Sequence, residues 1–175
     1  MRVAHMTYPL SLDLTDRLVV IVGGGRVGAR RARGVLGSGG RVLFIAPTIG
    51  DAARTLLADP RVRWAAQPYD EAALQGQGER VWLVHAATDA PDVNARVAHD
   101  ALASGIWCVR ADDAEASAAW TPAVARGASG GPADGLVVAV TGDRDPRRAV
   151  AVRDAIMLEL EHEILPVQRR RIPAI

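Results

Sequence analysis

Apolar positions along this chain come in short blocks separated by mixed segments. "LVVIV" at 18–22 is apolar without a two-residue period, as expected for a strand covered on both faces of a parallel sheet. Similar runs predict strands at Val42–Ala46, Val62–Ala65, Val81–Ala86 and Ile106–Val109. Arg26–Leu36 reads as a helix with Val27, Ala32 and Val35 available inward, while Arg30, Arg31 and Arg33 point mostly elsewhere. Gly50–Ala58 suits a helix that stops before Asp59-Pro60, and Asp92–Ser104 suits another. Strands alternating with helices predict an open parallel sheet wound by crossover connections.

The pattern changes after Asp113. "ASAAWTPAV" and "GLVVAVT" read as two extended segments, parted by a Gly/Ser/Pro/Ala loop at 127–134. Asp145-Pro146 then opens a helix, with aspartate at the cap and proline at the first position. That helix is expected to run to Ile164 and end near Pro166. The chain therefore divides into residues 1–113, a β segment at 114–145, and a helix with a basic tail at 146–175. The tail, "VQRRRIPAI", reads as a linker stub, so no nucleic-acid partner is expected. The two extended segments cannot join a parallel sheet through so short a loop, and two strands alone are marginal. Pairing with a second copy of the chain, in a homodimer, is expected.

Composition narrows the class. Hydrophobic residues make up 49% of the 175, enough for a real core. No apolar run approaches the ~20 residues of a membrane span. The amino end shows no apolar h-region, so secretion is not expected, and Met6 would itself serve as a start. One cysteine, Cys108, leaves no disulfide and no cysteine metal cluster within the chain. A cytoplasmic protein is expected. The net charge is +1, yet all 21 cations are arginine. That removes Schiff-base chemistry and the lysine of a P-loop, and it suits a bidentate grip on carboxylates.

The candidate chemistry begins at Gly23-x-Gly25-x-x-Gly28, which follows a predicted strand and opens a predicted helix. The first glycine permits the tight turn, the second lets backbone approach a pyrophosphate, and the third allows close helix–strand packing. The helix N-terminus adds amide donors and partial positive charge. The second strand ends in Ala46-Pro47-Thr48, without the acid that ordinarily grips the adenosine ribose. Backbone groups and the Thr48 hydroxyl could replace it, and Asp51 lies too far into the next helix. Arg26 or Arg41 could tolerate a 2′-phosphate, which leaves the choice between NAD and NADP open. The four histidines show no ligand spacing. His85, in the fourth strand, reads as a satisfied core or rim residue.

"YPLSLDLTDRLVVIVGGGRVGARRARGVL" resembles the opening of the precorrin-2 dehydrogenases, the NAD-binding part of siroheme synthases. The likeness continues through Ala86-Ala87-Thr88-Asp89, Asn94 to Val97, Asp112, and "GLVVAVTGDRDPRRAVAVRDAI". It implies a Rossmann-like α/β fold with a small β dimerisation segment and a C-terminal helix. It also implies NAD-dependent oxidation of precorrin-2 to sirohydrochlorin, often with insertion of ferrous iron as a further substrate. The implied dinucleotide contacts are the loop Gly23, Gly24, Gly25 with Arg26 and Val27, then Pro47 and Thr48, with Thr88 beside them. The missing ribose acid is a trait of that family.

Asp112 is the implied catalytic residue: a rim carboxylate that accepts the proton released when hydride leaves the tetrapyrrole. A turn cap in "DDAEAS" is the plain alternative for it, and Asp113 is the adjacent rival. Arg126, Arg144, Arg147 and Arg148 are candidates to hold the substrate's carboxylates. Where many members carry a serine-rich turn and a further helical region, this chain has Thr141-Gly142-Asp143 and ends at Ile175, so iron insertion is expected to be weak. Two other readings compete with the enzyme. One is a regulatory module that senses NAD without chemistry. The other is a tetrapyrrole-binding protein without catalysis.

Overall fold

A computed structural model describes residues 8–142 and 145–162, apart from the side chains of 76 and 77. The described residues form two compact units, divided after Trp120.

The first unit is built on a five-stranded parallel sheet. Its elements are β1 (Leu18–Val22), α1 (Arg26–Leu36), β2 (Arg41–Ile45), α2 (Asp51–Arg54), β3 (Val62–Ala65), β4 (Val81–Ala86), α3 (Pro91–Ala103) and β5 (Trp107–Arg110). The order across the sheet is β3-β2-β1-β4-β5. The chain thus moves outward from β1 to β3, then returns to the other side of β1. In such sheets ligands bind beyond the carboxyl ends of the strands, where the winding reverses.

Both faces of β1 are covered, which accounts for its unbroken apolar run. Val20 and Val22 join Leu43, Ile45, Val84 and Ala86 in a cluster with Val97 and Ala101 of α3. Val19 and Ile21 join Phe44, Leu83 and Val109 in a second cluster with Ala29, Ala32 and Val35 of α1. Three layers result.

Most expected elements form, with some differences. The buried stripe of α1 is Gly28, Ala29, Ala32 and Val35. Val27, expected inward, is 37% exposed, because it sits on the first turn one position before that stripe begins. Strands β2 and β5 are each displaced by one residue from the expected span. The helix expected over 50–58 is one turn of α2 followed by a tighter 3₁₀ turn, Thr55–Ala58.

In the second unit, β6 (Ala123–Arg126) and β7 (Val137–Val140) form an antiparallel pair beside α4 (Pro146–Glu161). Residues 116–122, expected to be extended with 123–124, are not strand. The backbone N–H groups of Ala118 and Ala119 instead donate to the Cys108 carbonyl. The inner face of the hairpin, with Ala125 and Val138, packs with Met157 and Leu160 of α4, while Val124 and Val137 are exposed. Asp145 caps α4, its Oδ1 accepting from the backbone N–H of Arg147 and Arg148 at 3.0 Å each. The expected helix end at Ile164 lies outside the described residues.

Candidate functional site

Strand register assembles the site. Val22 pairs with Ile45 on one side and Ala86 on the other, and Ala86 pairs with Arg110. The carboxyl ends of β1, β2, β4 and β5 are therefore level. The residues that follow each strand reach one rim: Gly23 to Gly25, Ala46 to Thr48, Ala87 to Thr88, and Ala111 to Asp112.

The loop glycines divide by what surrounds them. Gly23 has φ +115°, and a Cβ there would run into the Ala87 carbonyl. A Cβ on Gly24 would meet the Thr48 carbonyl and the Ile49 side chain, and one on Gly28 would meet the Gly23 carbonyl. These three glycines let rim segments pack against one another. Gly25 differs: no heavy atom lies within 4 Å of its would-be Cβ.

Gly25, Arg26 and Val27 are all exposed at the start of α1. Gly25 is the N-cap, offers no side chain to the orphan amides, and no acid stands in the first turn. Such a helix end, with space in front of it, has the chemistry to receive an anion. The residues present fit a dinucleotide pyrophosphate. Pro47 and Thr48 are exposed at the end of β2, on the same rim.

Thr88 is tied to α3. Its backbone N–H donates to Asn94 Oδ1 at 3.0 Å, its hydroxyl lies 2.8 Å from the same oxygen, and Asn94 Nδ2 donates to the Thr88 carbonyl at 3.0 Å. Asn94 is fully buried, so this network fixes the β4–α3 turn. The Ala-Ala-Thr-Asp and Asn-x-x-Val motifs meet here.

The two adjacent acids have different surroundings. Asp113 Oδ1 accepts from the backbone N–H of Glu115 and Ala116 at 2.9 and 3.0 Å, so Asp113 caps the turn. Asp112 faces the Arg110 guanidinium, with Nε at 3.2 Å from Oδ1 and Nη2 at 2.8 Å from Oδ2. That pairing holds the Asp112 carboxyl below its ordinary value, and the Asn94 amide acts in the same direction. The Arg110 backbone N–H donates to Ser117 Oγ at 2.9 Å, closing the turn over residues 110–117.

His85 is 3% exposed in β4, and its Nδ1 has no hydrogen-bond partner among the described residues. Burial, with Arg31 assisting, lowers its pKa to about 3. The folded state thus excludes a proton that the unfolded chain accepts near pH 6.5. Its contribution to stability is present above that pH and is lost as pH falls toward 3. His85→Leu should remove this term. Between pH 6.5 and 5, urea unfolding of the wild type should show about 2 kcal/mol more loss than the variant. Equal losses would contradict a neutral, buried His85.

Among the described residues, no group of three or more His, Cys, Asp or Glu could hold a metal ion, and no helix is long and apolar enough to cross a membrane. Arg126, Arg147 and Arg148 are exposed in the second unit, and Arg144 lies outside the described residues.

A parallel sheet with a glycine-lined anion cradle at its switch point defines a dinucleotide-binding α/β domain. Residues 10–123 match the sequence family described as "Putative NAD(P)-binding", and the chain belongs to that family. It is similar to the siroheme synthase of Xylella fastidiosa (strain M12), 34% identical over 121 residues that make up 69% of this chain and 25% of that protein. It is also similar to the siroheme synthase of Chromobacterium violaceum, 36% identical over 117 residues, 67% of this chain and 24% of that protein. The chain thus spans about a quarter of the length of these curated relatives. Among solved structures it shares the fold of SirC, precorrin-2 dehydrogenase, with a TM-score of 0.68 at 23% identity, covering 87% of this chain and 71% of that one.

Proposed function

We propose that this protein oxidises precorrin-2 to sirohydrochlorin with NAD. The observation that carries this reading is the placement of Asp112 on the same rim as the glycine cradle, fixed by the register Val22 to Ala86 to Arg110. The similarity to siroheme synthases supplies the substrate class.

A bound nicotinamide supplies the acceptor for two electrons and one hydrogen, delivered together as hydride. The exposed amides of Gly25, Arg26 and Val27 would hold the pyrophosphate, with Gly23 and Gly24 shaping the loop beneath them, and Pro47 and Thr48 would border the adenosine ribose. Asp112 takes the proton that leaves the tetrapyrrole nitrogen once the hydride is gone. Its carboxylate is ionised at neutral pH, and the oxidised, positively charged macrocycle is acidic enough for a weak base to suffice. The macrocycle's own nitrogens would ligate ferrous iron in any later insertion, so that step asks the protein to accept protons only. The test is anaerobic incubation with precorrin-2 and NAD. Appearance of the sirohydrochlorin spectrum supports the reading. NAD binding with no spectral change would favour the sensing module instead.

The hairpin β6–β7 has α4 on one face and exposed Val124 and Val137 on the other. Two strands gain little stability alone, and this second face supports the homodimer reading. Light scattering at micromolar concentration should return twice the chain mass, and a monomer would contradict it.

A further inference from the structure

We infer that Arg110 is a positioning residue that aims the Asp112 carboxylate at the rim and fixes its ionised form. This rests on the reading of Asp112 as proton acceptor. Arg110 closes β5, and its side chain is only 10% exposed, against 25% for that of Asp112. The guanidinium is thus largely covered and held in place, while Asp112 is an exposed residue at the rim. The guanidinium presents Nε and Nη2 together to the two carboxylate oxygens, a fork that a lysine ammonium cannot reproduce. Its backbone is pinned through Ser117 Oγ, which in turn donates to the Asp113 carbonyl at 2.9 Å. The clamp is thus anchored to the turn that it orients.

The same geometry separates Asp112 from its neighbour. Asp113 Oδ2 lies 3.8 Å from Arg110 Nη1, its side chain is 42% exposed, and its Oδ1 is committed to the turn. The groups facing the pair are few. From β5 comes the buried Cys108 thiol, pushed up to about 11 by burial and so neutral near pH 7. From the turn comes Asp113, and from α3 the uncharged Asn94, itself locked to Thr88. Among these, Arg110 is the cation that stabilises ionised Asp112, and its hydrogen bond is the largest influence on that carboxyl.

The experiment is a carbon-detected NMR titration of the Asp112 carboxyl in the full chain, run beside the pH profile of turnover. In Arg110→Met the proton affinity of Asp112 should rise about tenfold or more. In Arg110→Lys, which keeps the charge and loses the fork, the rise should be smaller. The acidic limb of kcat should move with the titration while KM for NAD stays unchanged, and Lys should rescue part of the lost kcat. Circular dichroism identifies variants that keep the fold, and Arg110→Lys serves alone if Arg110→Met does not. An Asp112 midpoint unmoved in every folded variant overturns the inference. A midpoint that moves while kcat and its pH profile stay at wild type supports the clamp and overturns Asp112 as the proton acceptor.

Discussion

Asp112→Asn should lower turnover by about 10²–10⁴-fold, the range associated with loss of a general base. The substitution keeps the shape of the side chain, and the amide oxygen can still accept from Arg110, so the turn at 110–117 should hold. Affinity for NAD should barely change, because the phosphate cradle proposed at Gly25 is backbone that Asp112 does not touch. Asp113→Asn is the control. Asparagine can still cap the turn by accepting from the Glu115 and Ala116 amides, so that variant should turn over normally. Steady-state kinetics on both variants decides between the two acids. Loss of turnover in Asp113→Asn alone would show that the wrong carboxylate has been assigned, and normal turnover in both would place the base elsewhere.

Gly25→Val should abolish NAD binding in calorimetry while leaving the thermal unfolding temperature close to wild type. Gly25 has φ −81° and ψ −171°, extended backbone that valine adopts readily. Its would-be Cβ meets nothing within 4 Å, so the protein itself tolerates the branch. Only a molecule lying against the loop would collide with it. Gly23→Ala is the contrasting variant. There φ is +115° and the Ala87 carbonyl occupies the Cβ position, so stability itself should fall. If Gly25→Val binds NAD normally, the loop is only a tight turn between β1 and α1.

Much of the sheet was legible in the sequence because its strands are covered on both faces. Runs such as "LVVIV" and "VWLVHA" lack alternation for that reason, and β1, β3 and β4 have the expected bounds. His85, one residue from the end of β4, is buried as a core reading expects, but it is not the satisfied histidine expected, because its Nδ1 has no partner among the described residues. The inward position expected for Val27 failed because helix periodicity sets the spacing of a buried stripe but not its starting angle, which packing against β1 and β2 decides. The stretch 116–122 differs from the extended segment its pattern predicts because its small apolar residues suit strand and loop alike. Pro122 at its end lacks a backbone donor, and Ala118 and Ala119 find their partner in the Cys108 carbonyl.

At the site, the glycine turn between β1 and α1 could be read from spacing and context. The division of labour between Asp112 and Asp113 could not, because both occupy the same sequence neighbourhood. The capping role considered for Asp112 belongs to Asp113, whose Oδ1 reaches the two amides ahead of it. The Arg110 fork was also invisible, since contact between residues two apart depends on how the turn after β5 folds back. Thr88 and Asn94 were visible as motifs, and the structure shows why they occur together: the asparagine side chain pairs with both backbone groups of Thr88 and so ties the turn before α3 to the helix.

The most direct test of the central claim follows the hydrogen itself. Precorrin-2 carrying deuterium at its reduced carbons should be incubated anaerobically with the protein and unlabelled NAD, and the nicotinamide product examined by mass spectrometry. The expected product is reduced dinucleotide one mass unit heavier than normal, formed in step with sirohydrochlorin. Sirohydrochlorin formed without labelled NADH, or no reduced dinucleotide at all, would contradict the claim.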